Sequence, residues 1–134
     1  MAFTADYADR RSKQTAVIEV AHGGDNAAID ETTAVIDTPR RLDRVIVTFH
    51  DNADPAVQQS VTNKTVTITI ISGVGTSGIF DRQLTTSSTV SGKNYIYTTN
   101  EEEWVHSSDK LKVEVTAPGA SVYTSVMVIW STRD

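Results

Sequence analysis

Hydrophobic and polar residues alternate along most of this chain with a period of two, the period of a strand that buries one face. The clearest stretch is Lys64-Thr65-Val66-Thr67-Ile68-Thr69-Ile70-Ile71, with Val66, Ile68 and Ile70 on one face and threonines on the other. Asp109-Lys110-Leu111-Lys112-Val113-Glu114-Val115-Thr116 repeats the design with charges outside. Arg44-Val45-Ile46-Val47-Thr48-Phe49 places Val45, Val47 and Phe49 together, while Ile46 gives the opposite face apolar character. Val122-Tyr123-Thr124-Ser125-Val126-Met127-Val128-Ile129-Trp130 ends apolar on both faces, as expected of a strand central in its sheet or covered on its second side.

Weaker alternation predicts further strands at about 14–21, 31–38, 78–85, 94–98 and 103–106. Turn chemistry separates them: His22-Gly23-Gly24-Asp25-Asn26, Asp51-Asn52-Ala53-Asp54-Pro55, Ser72-Gly73-Val74-Gly75, Ser91-Gly92-Lys93-Asn94 and Ala117-Pro118-Gly119. No window carries capped helical periodicity, although 55–61 has room for one turn. Eight or nine short strands at regular spacing predict an all-β domain, an antiparallel two-sheet sandwich of the jelly-roll kind spanning 14–134. Residues 1–13 lack the pattern and are read as an N-terminal arm, ordered on assembly.

Composition narrows the function classes. With 134 residues the chain is one domain in size, and with no cysteine it has neither disulfides nor thiolate chemistry. Seventeen acidic against twelve basic residues give a net charge of −5, which disfavours nucleic-acid binding. The only local basic clusters are Arg10/Arg11 and Arg40/Arg41/Arg44. No apolar run approaches the roughly 20 residues of a membrane span, and the start has no basic region followed by an apolar core. A soluble protein made in a cytoplasm, by a cell or its virus, is expected, with no membrane partner.

Candidate chemistry is thin. A serine triad needs Ser, His and a carboxylate brought together. His22, His50 and His106 are scattered, and no Gly-x-Ser-x-Gly elbow is present. No histidine has ligand-like spacing to another. Asp51-Asn52-Ala53-Asp54 crowds oxygen ligands suited to calcium but reads first as a turn. Ser72–Gly78 is glycine-rich without the Gly-Lys-Ser/Thr ending of a phosphate loop. Glu101-Glu102-Glu103 reads as a solvated turn, and Asn63-Lys64-Thr65 fits the glycosylation triplet without a secretion signal to give it meaning. The expectation is therefore no enzyme, no cofactor and no metal site. Aromatic residues make up 7% of the chain. Trp104 with Tyr95 and Tyr97 is the set from which a sugar-binding face would be built, set against Tyr95 and Tyr97 filling one strand face and Trp130 the core.

The second half of the chain forms an ordered series. Pro39-Arg40-Arg41-Leu42-Asp43-Arg44-Val45-Ile46-Val47-Thr48-Phe49 is followed by Thr65-Val66-Thr67-Ile68-Thr69-Ile70, Phe80-Asp81-Arg82-Gln83-Leu84 and Asn94-Tyr95-Ile96-Tyr97. Ser108-Asp109-Lys110-Leu111-Lys112-Val113-Glu114-Val115 and Tyr123–Trp130 close it. Over about residues 39–131 this resembles a group of small β-sandwich structural proteins of tailed bacteriophages, and the first 38 residues extend beyond the pattern. The resemblance implies a non-enzymatic virion component that decorates or cements the outer surface of a capsid. Its partner would be the major capsid protein, and no catalytic residues carry over. A homo-oligomer is expected, with a closed ring such as a trimer as the economical form. Contacts are expected from Phe3, Tyr7, Arg10 and Arg11 in the arm and from Arg40 and Arg41. The alternatives are a carbohydrate-binding module and a neck or tail-joining component.

Overall fold

β-Branched residues and threonines resist helix and suit a pleated surface, and in this chain they occupy strands almost throughout. The computed structural model describes residues 14–73 and 79–133, with side chains excluded at 14–16, 100–103 and 133. Eight strands run in order: β1 (Gln14–His22), β2 (Ile29–Thr32), β3 (Arg40–Asp51), β4 (Val61–Ile71), β5 (Arg82–Gly92), β6 (Asn94–Val105), β7 (Lys110–Val115) and β8 (Val122–Arg133). They form two four-stranded sheets, β1-β8-β3-β6 and β2-β7-β4-β5, and every named pairing is antiparallel. Apart from the step from β4 to β5, each strand passes to the opposite sheet. That shuttling of eight strands between two packed sheets is the jelly-roll arrangement expected from the pattern.

The core lies between the sheets. Trp130, Phe49, Leu42, Val45 and Val47 come from the first sheet and Val66, Ile68, Ile70 and Leu111 from the second, all essentially without solvent contact. The threonines of β4 and the charges of β7 turn outward, as their alternation predicts. β8 is central, between β1 and β3, which accounts for its apolar second face.

The weaker strands needed correction. The strand expected at 31–38 is β2 at Ile29–Thr32. Beyond it Val35 is exposed, while Ile36 is a lone buried plug whose N–H donates to Asp109 O and whose carbonyl accepts from Ser108 N. One buried isoleucine in a loop imitated a strand. The strand expected at 78–85 is β5 at Arg82–Gly92, and Ile79 and Phe80, which suggested the earlier start, are exposed. More than half of β5 is Ser and Thr, and it pairs with β4 with three register irregularities and a Thr67–Thr86 hydroxyl bond of 3.0 Å.

The segments expected at 94–98 and 103–106 are one strand, β6. Its pairing with β3 jumps from Arg44↔Thr98 to Leu42↔Glu103, so four residues of β6 face the single residue Asp43. The bulge breaks the alternation, and Leu42 and Val45, three apart, both point inward. It also takes Glu101–Glu103 out of the expected turn and into the strand. Residues 55–61 hold a hydrogen-bonded turn, Val57 N–H to Asp54 O at 2.9 Å, and no helix.

Candidate functional site

On the outer face of the β1-β8-β3-β6 sheet the register lines up one apolar residue from every strand. Val20 pairs with Met127, Met127 with Ile46, and Ile46 with Ile96. The neighbouring row carries Ile18 and Ile129 before changing to Arg44 and Thr98. Ile18 is 57% exposed, Val20 and Ile96 51% and Met127 37%, while Ile46 and Ile129 are half-buried. Scattered exposed apolar residues are ordinary, but a continuous row crossing a whole sheet is the kind of patch that meets a partner. The alternation of Ile46 was legible in sequence. That it joins residues of three other strands was not.

Each end of this apolar band is polar. At one end Ser131 Oγ donates to Asp43 Oδ2 and Arg41 Nε donates to Asp43 Oδ1 at 3.1 Å. Trp104, half-buried, lies opposite Arg41 on edge strand β6. Its carbonyl accepts from Arg82 Nη2 of β5 at 3.2 Å, tying the two sheets at this edge.

The other end holds a cluster that sequence reasoning missed, because its members come from distant strands. His22 Nδ1 lies 2.7 Å from Ser125 Oγ. The His50 ring stacks on Tyr123 with centroids 5.0 Å apart, and His22 meets the same tyrosine edge-on at 6.5 Å. Pro55 O can only accept, so His50 Nδ1 carries the proton of their 3.0 Å bond. In the neutral ring Nε2 then accepts from Thr48 Oγ1, 2.8 Å away. The His22–Ser125 pair has the reach of a nucleophile and its base. Ser125 is nevertheless buried, and among the described residues no carboxylate is hydrogen-bonded to His22 to orient it.

The residues singled out from the sequence are scattered. Phe3, Tyr7, Arg10 and Arg11 lie outside the described residues. Arg40 is turned to the inner side, where its guanidinium sits over the Trp130 ring at 5.9 Å and donates to Glu19 Oε1 at 3.1 Å. Arg41 faces outward with Asp43. Tyr95 and Tyr97 are half-buried on the inner face of β6 and pack against the core, whereas Trp104 is on the outer face, so the three rings do not share a surface.

Asp51 and Asp54 each serve their own loop, accepting from Ala53 N and Ala56 N respectively, in the manner of turn-forming aspartates. Of the glycine-rich loop, 74–78 lies outside the described residues, and Gly73 N donates to the buried Asp109 Oδ1 at 3.1 Å. A cleft of about 200 Å³ opens between β1 and residues 31–34, with Leu111, Val113, Val126 and Val128 as floor and Glu19 and Glu31 at its rim. Glu19 is already committed to Arg40.

No family model matches this chain, and no curated protein matches it. Among solved structures, it is similar to a chitosan-binding module from a Paenibacillus sp. IK-5 chitosanase/glucanase, at 12% identity and TM-score 0.47, covering 87% of this chain and 94% of that one. PirA matches at 8% identity and TM-score 0.42, covering 83% and 92%. VP2 of infectious bursal disease virus matches at 15% identity and TM-score 0.37, covering 88% of this chain but 33% of VP2. Likenesses this distant say nothing of a ligand or partner, and the fold assignment rests on the strand order itself.

Proposed function

We propose that this chain is a non-enzymatic structural protein of a tailed-phage particle, binding the outer surface of the capsid as a decoration or cement protein. The observation that carries the reading is the apolar row Val20–Met127–Ile46–Ile96 across the outer face of a sheet whose inner face is already packed in the core. Such a face suits attachment to a preformed protein surface, where apolar area supplies affinity and a polar rim supplies register. The strand series over 39–131 supplies the phage context. In this reading the major capsid protein covers the row, and Arg41 with Phe3, Tyr7, Arg10 and Arg11 adds contacts around it. Arg40 acts indirectly, by holding the Trp130 end of the sheet. The protein works as a homo-oligomer on the virion surface.

The test is co-sedimentation with capsids that lack the protein, alongside a version cut before Lys13. Saturable binding supports the reading, and its loss on truncation assigns contacts to the N-terminal residues. Absence of binding by the full chain ends it. Location of bound protein by electron microscopy separates a capsid component from a neck or tail-joining one.

Carbohydrate binding is the second reading, favoured by Trp104 at the outer edge of β6 beside Arg41. A silent glycan array, or binding unchanged in Trp104→Ala, removes it.

A further inference from the structure

A sheet that does not close has two edges, and each presents unpaired backbone groups to any strand of matching length. Among the described residues, three of the four edges here carry a recognised protection. β2 is only four residues long. β5 pairs with β4 through three register irregularities, and β6 carries the bulge opposite Asp43. β1 has none of these. It runs nine residues in unbroken register with β8, contains no proline, and bears one formal charge, Glu19, which is turned inward and paired with Arg40.

The ladder fixes which groups point outward. Gly23 N donates to Thr124 O, continuing the β1–β8 register, so the odd-numbered residues of β1 are the hydrogen-bonded ones. The N–H and C=O groups of Gln14, Ala16, Ile18, Val20 and His22 therefore face away from β8, toward an edge that no strand among the described residues pairs. The side chains of Ile18 and Val20 stand exposed on the outer face above them.

We infer that β1 is the dimerisation edge of this protein, pairing antiparallel with β1 of a second copy about a two-fold axis. A nine-residue strand overlaps its own copy completely when its central residue, Ile18, lies opposite itself. In that register Val20 meets Ala16 of the second copy and Glu19 meets Val17, so no like charges face each other. About ten inter-chain hydrogen bonds would form, and the two sheets become one of eight strands. Ile18 then stands beside Ile18 of the second copy, so the Ile129–Ile18 rows of the two copies join across the seam, and one partner pairs the backbone edge and flanks the exposed isoleucine. Identical antiparallel edges close with two copies, which makes the assembly a two-fold dimer and not a trimeric ring. The inference does not rest on the capsid reading, since it is measured on the purified chain alone.

Analytical ultracentrifugation of the full chain over about 1–100 µM, the range in which homodimers of modest affinity separate, is expected to show a species of twice the 14.6 kDa of one chain. Ile18→Lys, which sets two ammonium groups against each other, should weaken the dimer at least about tenfold. Val20→Pro removes an N–H aimed at the open edge without touching the β8 ladder, and should do the same with circular dichroism unchanged. A monomer throughout that range overturns the inference. So does a dimer indifferent to Ile18→Lys, or a dimer that appears only after residues 1–12 are removed, which would mean the chain covers its own edge.

Discussion

The guanidinium of Arg40 lies 5.9 Å from the ring centroid of Trp130, closing the end of the core beside a residue with no solvent contact. Its Nη1 is held by Glu19 at 3.1 Å, so strands β3, β8 and β1 meet through one side chain. The arginine combines a cation over a ring with an aliphatic stem laid along apolar surface.

Arg40→Ala should accordingly cost about 1–2 kcal/mol, more than an ordinary surface substitution. Arg40→Lys should recover only part of it, because an ammonium cannot lie flat over the indole while also reaching Glu19. Urea unfolding followed by Trp fluorescence measures both. Equal stability for Arg40→Ala and wild type would show that the contact is incidental.

A second joint depends on the absence of a side chain. A Cβ built at Gly73 would stand 2.2 Å from Ser108 O, which is backbone and cannot yield cheaply. The approach is fixed by Asp109, buried, whose Oδ1 accepts from Gly73 N and whose Oδ2 accepts from His106 N. Gly73→Ala is expected to destabilise by about 1–3 kcal/mol through overpacking. Asp109→Ala should cost about as much by removing the carboxylate that accepts from both Gly73 N and His106 N. Thermal melts of the two single variants and the double variant should be less than additive, since either change opens the same joint.

The regular strands were legible because one buried face imposes period two, and β3, β4, β7 and β8 fall where Val45, Ile68, Val113 and Val128 place them. The failures have separate physical causes. Ile36 is buried from a loop, so it wrote a strand-like signal without a strand. β5 has few apolar residues and is held by backbone and hydroxyl bonds to β4, which leave little trace in hydropathy. The four-residue bulge hid the continuity of β6. The outer-face row and the His22–Ser125 and His50–Tyr123 contacts depend on register between strands up to 103 residues apart, which one sequence does not encode locally.

His50 anchors the loop that follows β3. Replacing it with Ala removes the bond to Pro55 O and the stacking on Tyr123, for a cost of about 1 kcal/mol. The loop keeps its backbone bonds, Asp51 N to Val57 O and Gln59 N to Phe49 O, so the effect should be local. Hydrogen exchange should quicken in residues 51–59 and stay unchanged in β4. Uniform acceleration across the domain would contradict that local role.

Ile96 separates stability from attachment most cleanly. It ends the apolar row on edge strand β6, half exposed, opposite Ile46 and far along the sheet from β1. Ile96→Glu removes no buried contact of the inner core, so its effect on unfolding free energy should stay within about 0.5 kcal/mol. A carboxylate at that position would have to be desolvated if another protein covers the row, which costs far more than the lost methyl contacts. Capsid co-sedimentation should therefore weaken by at least about tenfold, equivalent to about 1.4 kcal/mol. The β1 dimer, on the opposite edge of the sheet, should persist unchanged. Retained capsid binding by a folded Ile96→Glu chain would move the attachment surface away from this face, whereas loss of dimer and capsid binding together would mean that the row acts through assembly.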